Sequence, residues 1–460
     1  MFQAQTYVDR RARLRDRVGT GLLLFLGNDE SPANYAANTY RFRQDSTFLY
    51  YFGLDRPGCA ALMDLDEGRT AVFGDDATLD DVVWTGPLPT LAELARDAGV
   101  TDTAPLGQLE ARLKQARGRT VHILPTYRAE HRLKLAHLLD LPPDRQDAAA
   151  SVPFIQAVVD QRSVKSDEEV RELEQAVDLS VDMHLAAMAM VRPGVTEAAI
   201  AAKVVQTAQA AGGAKPYPVI ATVRGETLHN PWHHNTLRSG QLFLLDAGAE
   251  VPSHYTGDLS STCPVDPGFT PRQRELYDLV LRAHLGALAR LRPGVPFRDV
   301  HLSACRTLAE GLKDLGLMQG DPDEAVAQGA HALFFPCGLG HMMGLDVHDM
   351  ENLGETWVGY EGRPKSTQFG LKSLRLARAL QPGFVFTVEP GLYFIPELIQ
   401  RWRAEGRHAG FIRYAQLEPC IGLGGMRIEE DVLVTPDGHR VLGKARPRTA
   451  DEVVAARAAG

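Results

Sequence analysis

Five residues in the C-terminal two-thirds of the chain have the side chains and the settings of metal ligands. Asp246 ends the apolar run LFLLD, and Glu389 follows the similar run FVFTV. Asp258 begins DLSSTCPV, His341 lies in the glycine-rich segment CGLGHMMGLDVHD, and Glu429 lies in MRIEEDVLV. A strand that ends at the surface would explain Asp246 alone, and a packed core histidine would explain His341 alone. Because clustered carboxylates repel one another unless cations neutralise them, the whole set indicates a site for divalent cations.

The chemistry that such a set supports is metal-assisted hydrolysis. Four carboxylates and one imidazole suit Mn²⁺, Co²⁺, Fe²⁺ or Zn²⁺, and the set lacks the thiolates of a structural zinc site. Two ions roughly 3.5–4 Å apart need bridging carboxylates, and they lower the pKa of a shared water until hydroxide forms near neutral pH. The residues therefore predict a metal-dependent hydrolase with two divalent ions, for which we expect Mn²⁺.

Two internal repeats indicate how the strands that carry these residues are positioned. HLAAMAMVRPGV, from His184, is repeated as HLGALARLRPGV, from His284. SGQLFLLDAG (239–248) is likewise repeated as PGFVFTVEPG (382–391). In each copy a helix ends at Arg-Pro-Gly, and a carboxylate follows an apolar strand later in the chain. The repeats predict a pseudo-symmetric α+β domain in which Asp246 and Glu389 occupy equivalent positions.

A well-marked helix start separates this domain from the N-terminal region. Ser166 and Glu169 form a capping box ahead of the run VRELEQAVDLSVDMHLAAMAMV. We therefore place an N-terminal domain at residues 1–158 and the catalytic domain at residues 159–460. The first domain is predicted to be α/β, because helix-like segments such as TLAELARDAG alternate with strand-like runs. Those strand-like runs are GLLLFLG, FLYYFG, AALMDLD, TAVFG and VHILP.

The composition is that of an acidic globular protein. A net charge of −9 argues against a general affinity for nucleic acid. Five scattered cysteines without a CxxC pair fit reduced thiols in the cytosol. The apolar run GLLLFLG is too short for a membrane span, and no secretion or anchoring signal is visible. We expect a cytoplasmic protein with no nucleic-acid or membrane partner.

The motifs together resemble those of the pita-bread metallopeptidases, specifically the aminopeptidase P and prolidase group. DAGAE…GD, GHMMGLDVHD, TVEPGLYF and GGMRIEED carry the resemblance over residues 155–445. FRQDSTFLYYFGLDRPG and VVWTG resemble that group's N-terminal domain. The resemblance implies a pita-bread catalytic domain with a pseudo-twofold axis, proline-containing peptides or dipeptides as substrates, and a homodimer or homotetramer.

The resemblance also implies a role for each matching residue. Asp246 and Asp258 would bind one metal, His341 and Glu389 the other, and Asp258 and Glu429 would bridge the two. His229 and His348 would be catalytic beside the carbonyl group, and Glu389 would move a proton from the attacking water to the leaving nitrogen. The implied substrate-binding residues are Tyr393, Arg375, Arg427, Cys337 and Trp84, the last reaching the site of a neighbouring subunit.

One position departs from the family pattern. Cys337 stands four residues before His341, where relatives usually have histidine. A thiol packs as a small apolar group. We therefore expect a change in the pocket wall and in specificity, and no change at the metal site.

Four functions fit the resemblance, and the motifs favour the first of them. An Xaa-Pro aminopeptidase is favoured by FRQDSTF and VVWTG in the N-terminal domain. An Xaa-Pro dipeptidase is favoured by Arg375, which resembles the arginine with which prolidase holds the substrate carboxylate. Methionine aminopeptidase shares the ligand set, but it explains neither Arg375 nor the large N-terminal domain. A metal-independent binding module of the same fold would lack one or more of the five ligands.

Overall fold

The computed structural model describes residues 2–458, which form two compact units. The first unit comprises Met1–Arg162 with Met350–Trp357, and the second comprises Ser163–Asp349 with Val358–Gly460. The boundary that we place between residues 158 and 159 lies within the helix Val152–Ser163 and stays a prediction. None of the described helices is long and apolar enough to cross a membrane.

The first unit is built around a mixed sheet. Its strands are β1 (Leu22–Leu26), β2 (Pro32–Tyr35), β3 (Asn38–Thr39), β4 (Ala60–Asp64), β5 (Arg69–Phe73), β6 (Asp102–Ala104) and β7 (Val121–His122). Its helices are α1 (Ala4–Val18), α2 (Ser46–Phe52), α3 (Leu79–Thr85), α4 (Leu91–Asp97), α5 (Leu109–Gln115), α6 (Ala129–Leu139), α7 (Pro143–Ala149) and α8 (Val152–Ser163). The sheet order is β6-β5-β4-β1-β7, with β1 parallel to β7 and antiparallel to β4. A core of Leu22, Leu24, Leu62 and Phe73 packs on one face of this sheet.

The run FLYYFG, which was predicted to be a strand, lies in helix α2 and at its end. The side chain of Asp45 accepts a hydrogen bond from the N–H of Phe48, which caps the start of the helix. Gly53 ends it in the left-handed conformation, with φ of 65°. Every residue of α2 is buried, so the helix has no polar face to reveal its period. The prediction was wrong because a helix buried on all sides reads as a continuous apolar run.

The second unit holds the strands that end in the predicted ligands. Its strands are β8 (Ile220–Thr222), β9 (Leu242–Ala247), β10 (Leu259–Pro264), β11 (Val385–Val388), β12 (Gly391–Tyr393), β13 (Gly425–Arg427), β14 (Glu430–Val434) and β15 (His439–Val441). The helices of this part of the chain are α9 (Asp167–Met188), α10 (Glu197–Ala210), α11 (Pro271–Leu288), α12 (Phe297–Asp314), α13 (Pro322–Ala327), α15 (Pro396–Ala404) and α16 (Ala450–Ala458). The short helix α14 (Glu355–Val358) begins in the segment Met350–Trp357 of the first unit. Two three-stranded sheets, β10-β9-β8 and β11-β14-β15, and the pair β12-β13 result.

The predicted repeat is present in the backbone. The helix pairs α9–α10 and α11–α12 are each joined by an Arg-Pro-Gly loop. In the first loop the N–H of Gly194 donates to the carbonyl oxygen of Leu237, and in the second the N–H of Gly294 donates to that of Leu380. The capping box of Ser166 that begins α9 is also confirmed. In each half, the loop of the helix pair is therefore hydrogen bonded to the segment that precedes the strand with the carboxylate.

The two halves meet beside the predicted ligands. Asp246 lies opposite Ser260 in the antiparallel β9–β10 ladder. A bridge between Ser260 and Glu429 then joins β10 to the start of β14. The N–H of Glu389 donates to the carbonyl oxygen of Leu339, so the end of β11 is tied to the segment of His341. Strands that are remote in sequence thus bring their polar ends to one place.

Candidate active site

A cavity of about 640 Å³ in the second unit is lined by all five predicted metal ligands. Its volume is in the range of small-ligand pockets, roughly 300–1,000 Å³. Five further residues that the sequence assigned to the site also line it, namely His229, Cys337, His348, Arg375 and Arg427. Ten of the predicted site residues therefore share one cavity.

The ligand atoms of Asp258, His341 and Glu429 lie within 4.8 Å of one another. Nε2 of His341 is 3.4 Å from Oδ2 of Asp258 and 3.7 Å from Oε1 of Glu389. When two donor atoms bind the same ion, each at about 2.1 Å, the two donor atoms lie roughly 3.0–3.5 Å from each other. The spacing and the donor types, carboxylate oxygens with one imidazole, therefore fit divalent metal ions.

Burial makes these carboxylates poor anions without a cation beside them. Burial, and after it the charge of Asp246, raises the pKa of Asp258 to about 7. Burial and the charges of Asp258 and Glu389 raise the pKa of Glu429 well above its usual value. The pKa of Glu389 is also raised, first by burial. A bound cation reverses this effect because it stabilises the ionised form, so the electrostatics of the site favour cation binding.

Arg427 is the buried cation of the site. It forms an ion pair with Asp246, and its Nε–H donates to Oγ of Ser260 at 2.7 Å. Another of its N–H groups donates to the hydroxyl of Tyr393 at 2.9 Å. Tyr393 is fully buried and does not itself line the cavity, but its side chain contacts both Arg427 and the cavity-lining Cys337.

Three residues that support the ligands were not singled out from the sequence. The hydroxyl of Tyr217 donates to Oδ1 of Asp258 at 2.5 Å. Oγ of Ser260 donates to Oε2 of Glu429 at 2.6 Å, and Oδ2 of Asp431 accepts the backbone N–H of Asp258 at 2.9 Å. Strand alternation could have identified Ser260, which shares a face with Asp258, and Asp431, which shares a face with Glu429. Tyr217 precedes β8 in an irregular segment and carries no such signal.

The two predicted catalytic histidines lie at different depths. The rings of His341 and His348 are 3.9 Å apart between centroids. His229 lies in the loop between β8 and β9, and partial burial lowers its pKa. Both imidazoles line the cavity, so each can reach a bound substrate.

Cys337 and Arg375 form part of the cavity wall. Burial, and after it the charge of Glu389, raises the pKa of Cys337 to about 12. Its thiol is therefore neutral at physiological pH. Arg375 lines the same cavity with Phe369 and Ser373, which brings a cation to the wall.

Trp84 lies on α3 of the first unit, where its side chain is 87% exposed. Its assignment to the site of a neighbouring subunit stays a prediction.

The duplicated frame and the buried carboxylates define a metal-dependent hydrolase, and comparison with known proteins gives the family. Residues 171–436 match metallopeptidase family M24, and residues 7–124 match the aminopeptidase P N-terminal domain. The chain belongs to metallopeptidase family M24. The resemblance noted from the motifs and the predicted fold, an α/β domain followed by a pita-bread domain, are thereby confirmed, as is the assignment as a metallopeptidase.

Both activities suggested by the sequence are found among its relatives. The chain is 30% identical to human Xaa-Pro dipeptidase over 457 residues, 97% of this chain and 90% of that protein. It is also 30% identical to a probable Xaa-Pro aminopeptidase of Fusarium vanettenii, over 90% of this chain and 87% of that protein.

Solved structures match along the whole chain. Zn-substituted aminopeptidase P of E. coli in complex with product has a TM-score of 0.82 and 28% identity, covering 100% of this chain and 99% of that one. Aminopeptidase PepP of Pseudomonas aeruginosa has a TM-score of 0.83 and 26% identity, covering 100% and 98%.

Proposed function

We propose that this chain is an Xaa-Pro aminopeptidase that hydrolyses the Xaa-Pro bond at the amino terminus of a peptide with two divalent metal ions. The observation that carries the proposal is the convergence of Asp258, His341 and Glu429 in one cavity. The whole-chain similarity to structures of aminopeptidase P supports the same substrate class.

Asp246 and Asp258 would hold one ion and His341 and Glu389 the other, and Glu429 would be a further ligand of the same centre. When bound, the ions would polarise the peptide carbonyl group and lower the pKa of a water. The side chain of Glu389 is 17% exposed, against 8% for Asp258 and 2% for Glu429. Glu389 is therefore the carboxylate that can transfer a proton from water to the leaving nitrogen.

His229 and His348 would act on the carbonyl oxygen of the bond that is cleaved. Each imidazole can donate a hydrogen bond to the carbonyl oxygen as negative charge develops on it. Arg427 acts through Asp246, because its guanidinium group is buried against that carboxylate. We assign His229 and His348 to catalysis, and Arg427 and Tyr393 to positioning.

The cavity also offers an apolar surface for a proline ring. Ile220, Leu228, Pro231, Val347 and Phe369 line it together with the polar groups. An Xaa-Pro bond needs such a dedicated site because proline lacks the N–H and restricts the preceding residue.

Arg375 favours a second candidate, an Xaa-Pro dipeptidase. A guanidinium group binds a carboxylate through two parallel hydrogen bonds. The carboxylate of a dipeptide directly follows the proline, whereas a longer peptide continues with an amide. Arg375 in the cavity wall would therefore strengthen binding of dipeptides in particular.

Turnover of an Xaa-Pro dipeptide should be compared with that of an Xaa-Pro-Yaa-Yaa peptide. Activity on the longer peptide is the expected result, and its absence would contradict the aminopeptidase. Arg375→Gln should then raise KM for the dipeptide more than for the longer peptide. Arg401→Gln, which removes an exposed arginine of α15 outside the cavity, is the matched control.

We further propose Mn²⁺ as the metal, a cytoplasmic location and a homodimer or homotetramer. Activity of metal-free protein after addition of each divalent ion tests the first point, and a preference for another ion would contradict it. Sedimentation of the full chain tests the assembly. Loss of activity in Trp84→Ala without loss of folding would support a contribution from a neighbouring subunit, and unchanged activity would contradict it.

A further inference from the structure

A second cluster of metal-binding side chains lies in the core of the second unit. His301 and Cys305 are one turn apart on α12, and Nε2 of His301 is 3.5 Å from Sγ of Cys305. His331 lies on the 3₁₀ helix Ala330–Leu333. The ligand atoms of these three residues all lie within 4.8 Å of one another. None of the three lines the active-site cavity.

This cluster is buried, and most of its ring nitrogens lack hydrogen-bond partners among the described residues. The exposed fractions of His301 and Cys305 are 0%, and that of His331 is 2%. Nδ1 of His301 and both ring nitrogens of His331 have no hydrogen-bond partner among residues 2–458. By contrast, both ring nitrogens of the equally buried His184 are hydrogen bonded.

An unpartnered buried polar group destabilises the folded protein. Unpartnered ring nitrogens on two histidines beside a buried thiol point to a ligand at the cluster. One metal ion could bind one lone-pair nitrogen of each imidazole together with the sulfur, since burial keeps imidazoles neutral and able to coordinate.

We propose that His301, Cys305 and His331 bind a zinc ion that is distinct from the ions of the active site. Two imidazoles and one thiolate are typical zinc ligands, with Zn–N of about 2.0–2.1 Å and Zn–S of about 2.3 Å. The three donor atoms lie within 4.8 Å of one another, and zinc binding would require them to rotate towards a common ion. Zinc binding would release the thiol proton to solvent.

The ion would fix the wall of the active-site cavity from behind. His331 is followed closely by Phe334, whose carbonyl oxygen accepts the N–H of Tyr393 at 2.8 Å. The same segment continues into Pro336, Cys337 and Gly338, which line the cavity. A zinc ion between α12 and the 3₁₀ helix would therefore tie this wall to the helical layer, a structural role separate from hydrolysis.

Cobalt substitution tests the proposal in the full-length protein. Co²⁺ bound to a thiolate gives a near-ultraviolet charge-transfer band, whereas the proposed ligands of the active site contain no sulfur. Titration of metal-free wild type with Co²⁺ should produce this band. Cys305→Ser should lose the band together with one bound ion per chain. Two controls that remove other thiols, the buried one in Cys263→Ser and the partly buried one in Cys337→Ser, should keep both.

Several results would overturn the proposal, and none depends on peptidase activity. Wild type without a thiolate band would do so, as would a band that survives in Cys305→Ser and disappears in Cys337→Ser. If Cys305→Ser does not fold, His331→Gln provides the second test, because it leaves the thiol in place. That variant should bind one ion fewer than wild type and should gain less in Tm from added Zn²⁺. Equal metal content and equal gain in Tm would contradict the site.

Discussion

The two halves of the second unit share a frame but differ in the segment that joins helices to strands. Residues 211–241 connect α10 to β9 in the first half, whereas the longer segment 315–384 connects α12 to β11 in the second. The strands of both halves end in carboxylates of the site. His341, Cys337, His348 and Arg375 all come from the longer segment. The duplicated frame therefore supplies the acidic ligands, and the longer connection supplies most of the residues that face a substrate.

The equivalent histidines of the two halves also have different hydrogen-bond partners. Nδ1 of His184 is 2.7 Å from Oγ of Ser261, and its Nε2 is 3.0 Å from the carbonyl oxygen of Ala247. Nε2 of His284 is instead 3.0 Å from Oε2 of Glu430. Burial alone would raise the pKa of Glu430, but the hydrogen bond from His284 and nearby arginines lower it to about 2. At this position of the repeat, the histidine therefore bonds to a hydroxyl and a carbonyl group in one half and to a carboxylate in the other.

The largest effect is expected at Glu389, the carboxylate after strand β11 that we propose transfers the proton. Glu389→Gln keeps the size of the side chain but removes its capacity to accept a proton. We expect kcat to fall by roughly 10²–10⁴-fold, the usual contribution of acid–base catalysis. The control Glu397→Gln changes an exposed carboxylate of α15 and should leave kcat unchanged. A loss of less than tenfold in Glu389→Gln would remove this residue from proton transfer.

A somewhat smaller effect is expected at His348, which lies in the longer segment 315–384. His348→Ala removes a hydrogen-bond donor from the carbonyl oxygen, and such a loss lowers kcat by about 10²–10³-fold. Bound metal should stay at the wild-type level because His348 is outside the proposed ligand set. Loss of metal in this variant would contradict the assignment of His348 to substrate contact and not to metal binding.

The neutral histidine of the first half should make the fold sensitive to acid. Burial, and after it the charge of Arg446, lowers the pKa of His184 from 6.5 to about 3. Between these values the unfolded chain binds a proton that the folded chain does not, so stability falls as the pH falls. The slope from this residue is up to about 1.4 kcal/mol per pH unit.

Denaturant unfolding at several pH values measures that slope. His184→Gln should reduce the loss of stability between about pH 6.5 and pH 3. The exposed His137→Gln serves as the control. Identical slopes in wild type and His184→Gln would show that the buried imidazole does not contribute.

The smallest effect is expected at the position that departs from the family. Cys337→His introduces the residue that the resemblance noted from the sequence implies at this position. We expect KM to change by only several-fold and the metal content to stay the same, since the thiol is neutral and lies outside the ligand set. Metal assays before and after the substitution check this, and a change in the number of bound ions would contradict it.

The sequence predicted the residues with the chemistry of the site better than the residues that support them. Asp246 and Glu389 could be paired because each ends an apolar strand within a repeat. The helix α2 was missed because burial on all sides hides its period. Tyr217 could not be predicted, because a residue in an irregular segment has no pattern that ties it to Asp258. The cluster around His331 needs contacts between segments that only the fold brings together.

Metal content and hydrolysis measured together in Glu429→Ala test the central claim most directly. Glu429 is buried, bonds to Ser260 and lies with Asp258 and His341 in the candidate metal site. If the duplicated frame holds two ions for hydrolysis, this variant should lose metal from the active site and peptidase activity together. Retained activity on an Xaa-Pro peptide, with or without metal, would contradict the two-metal mechanism.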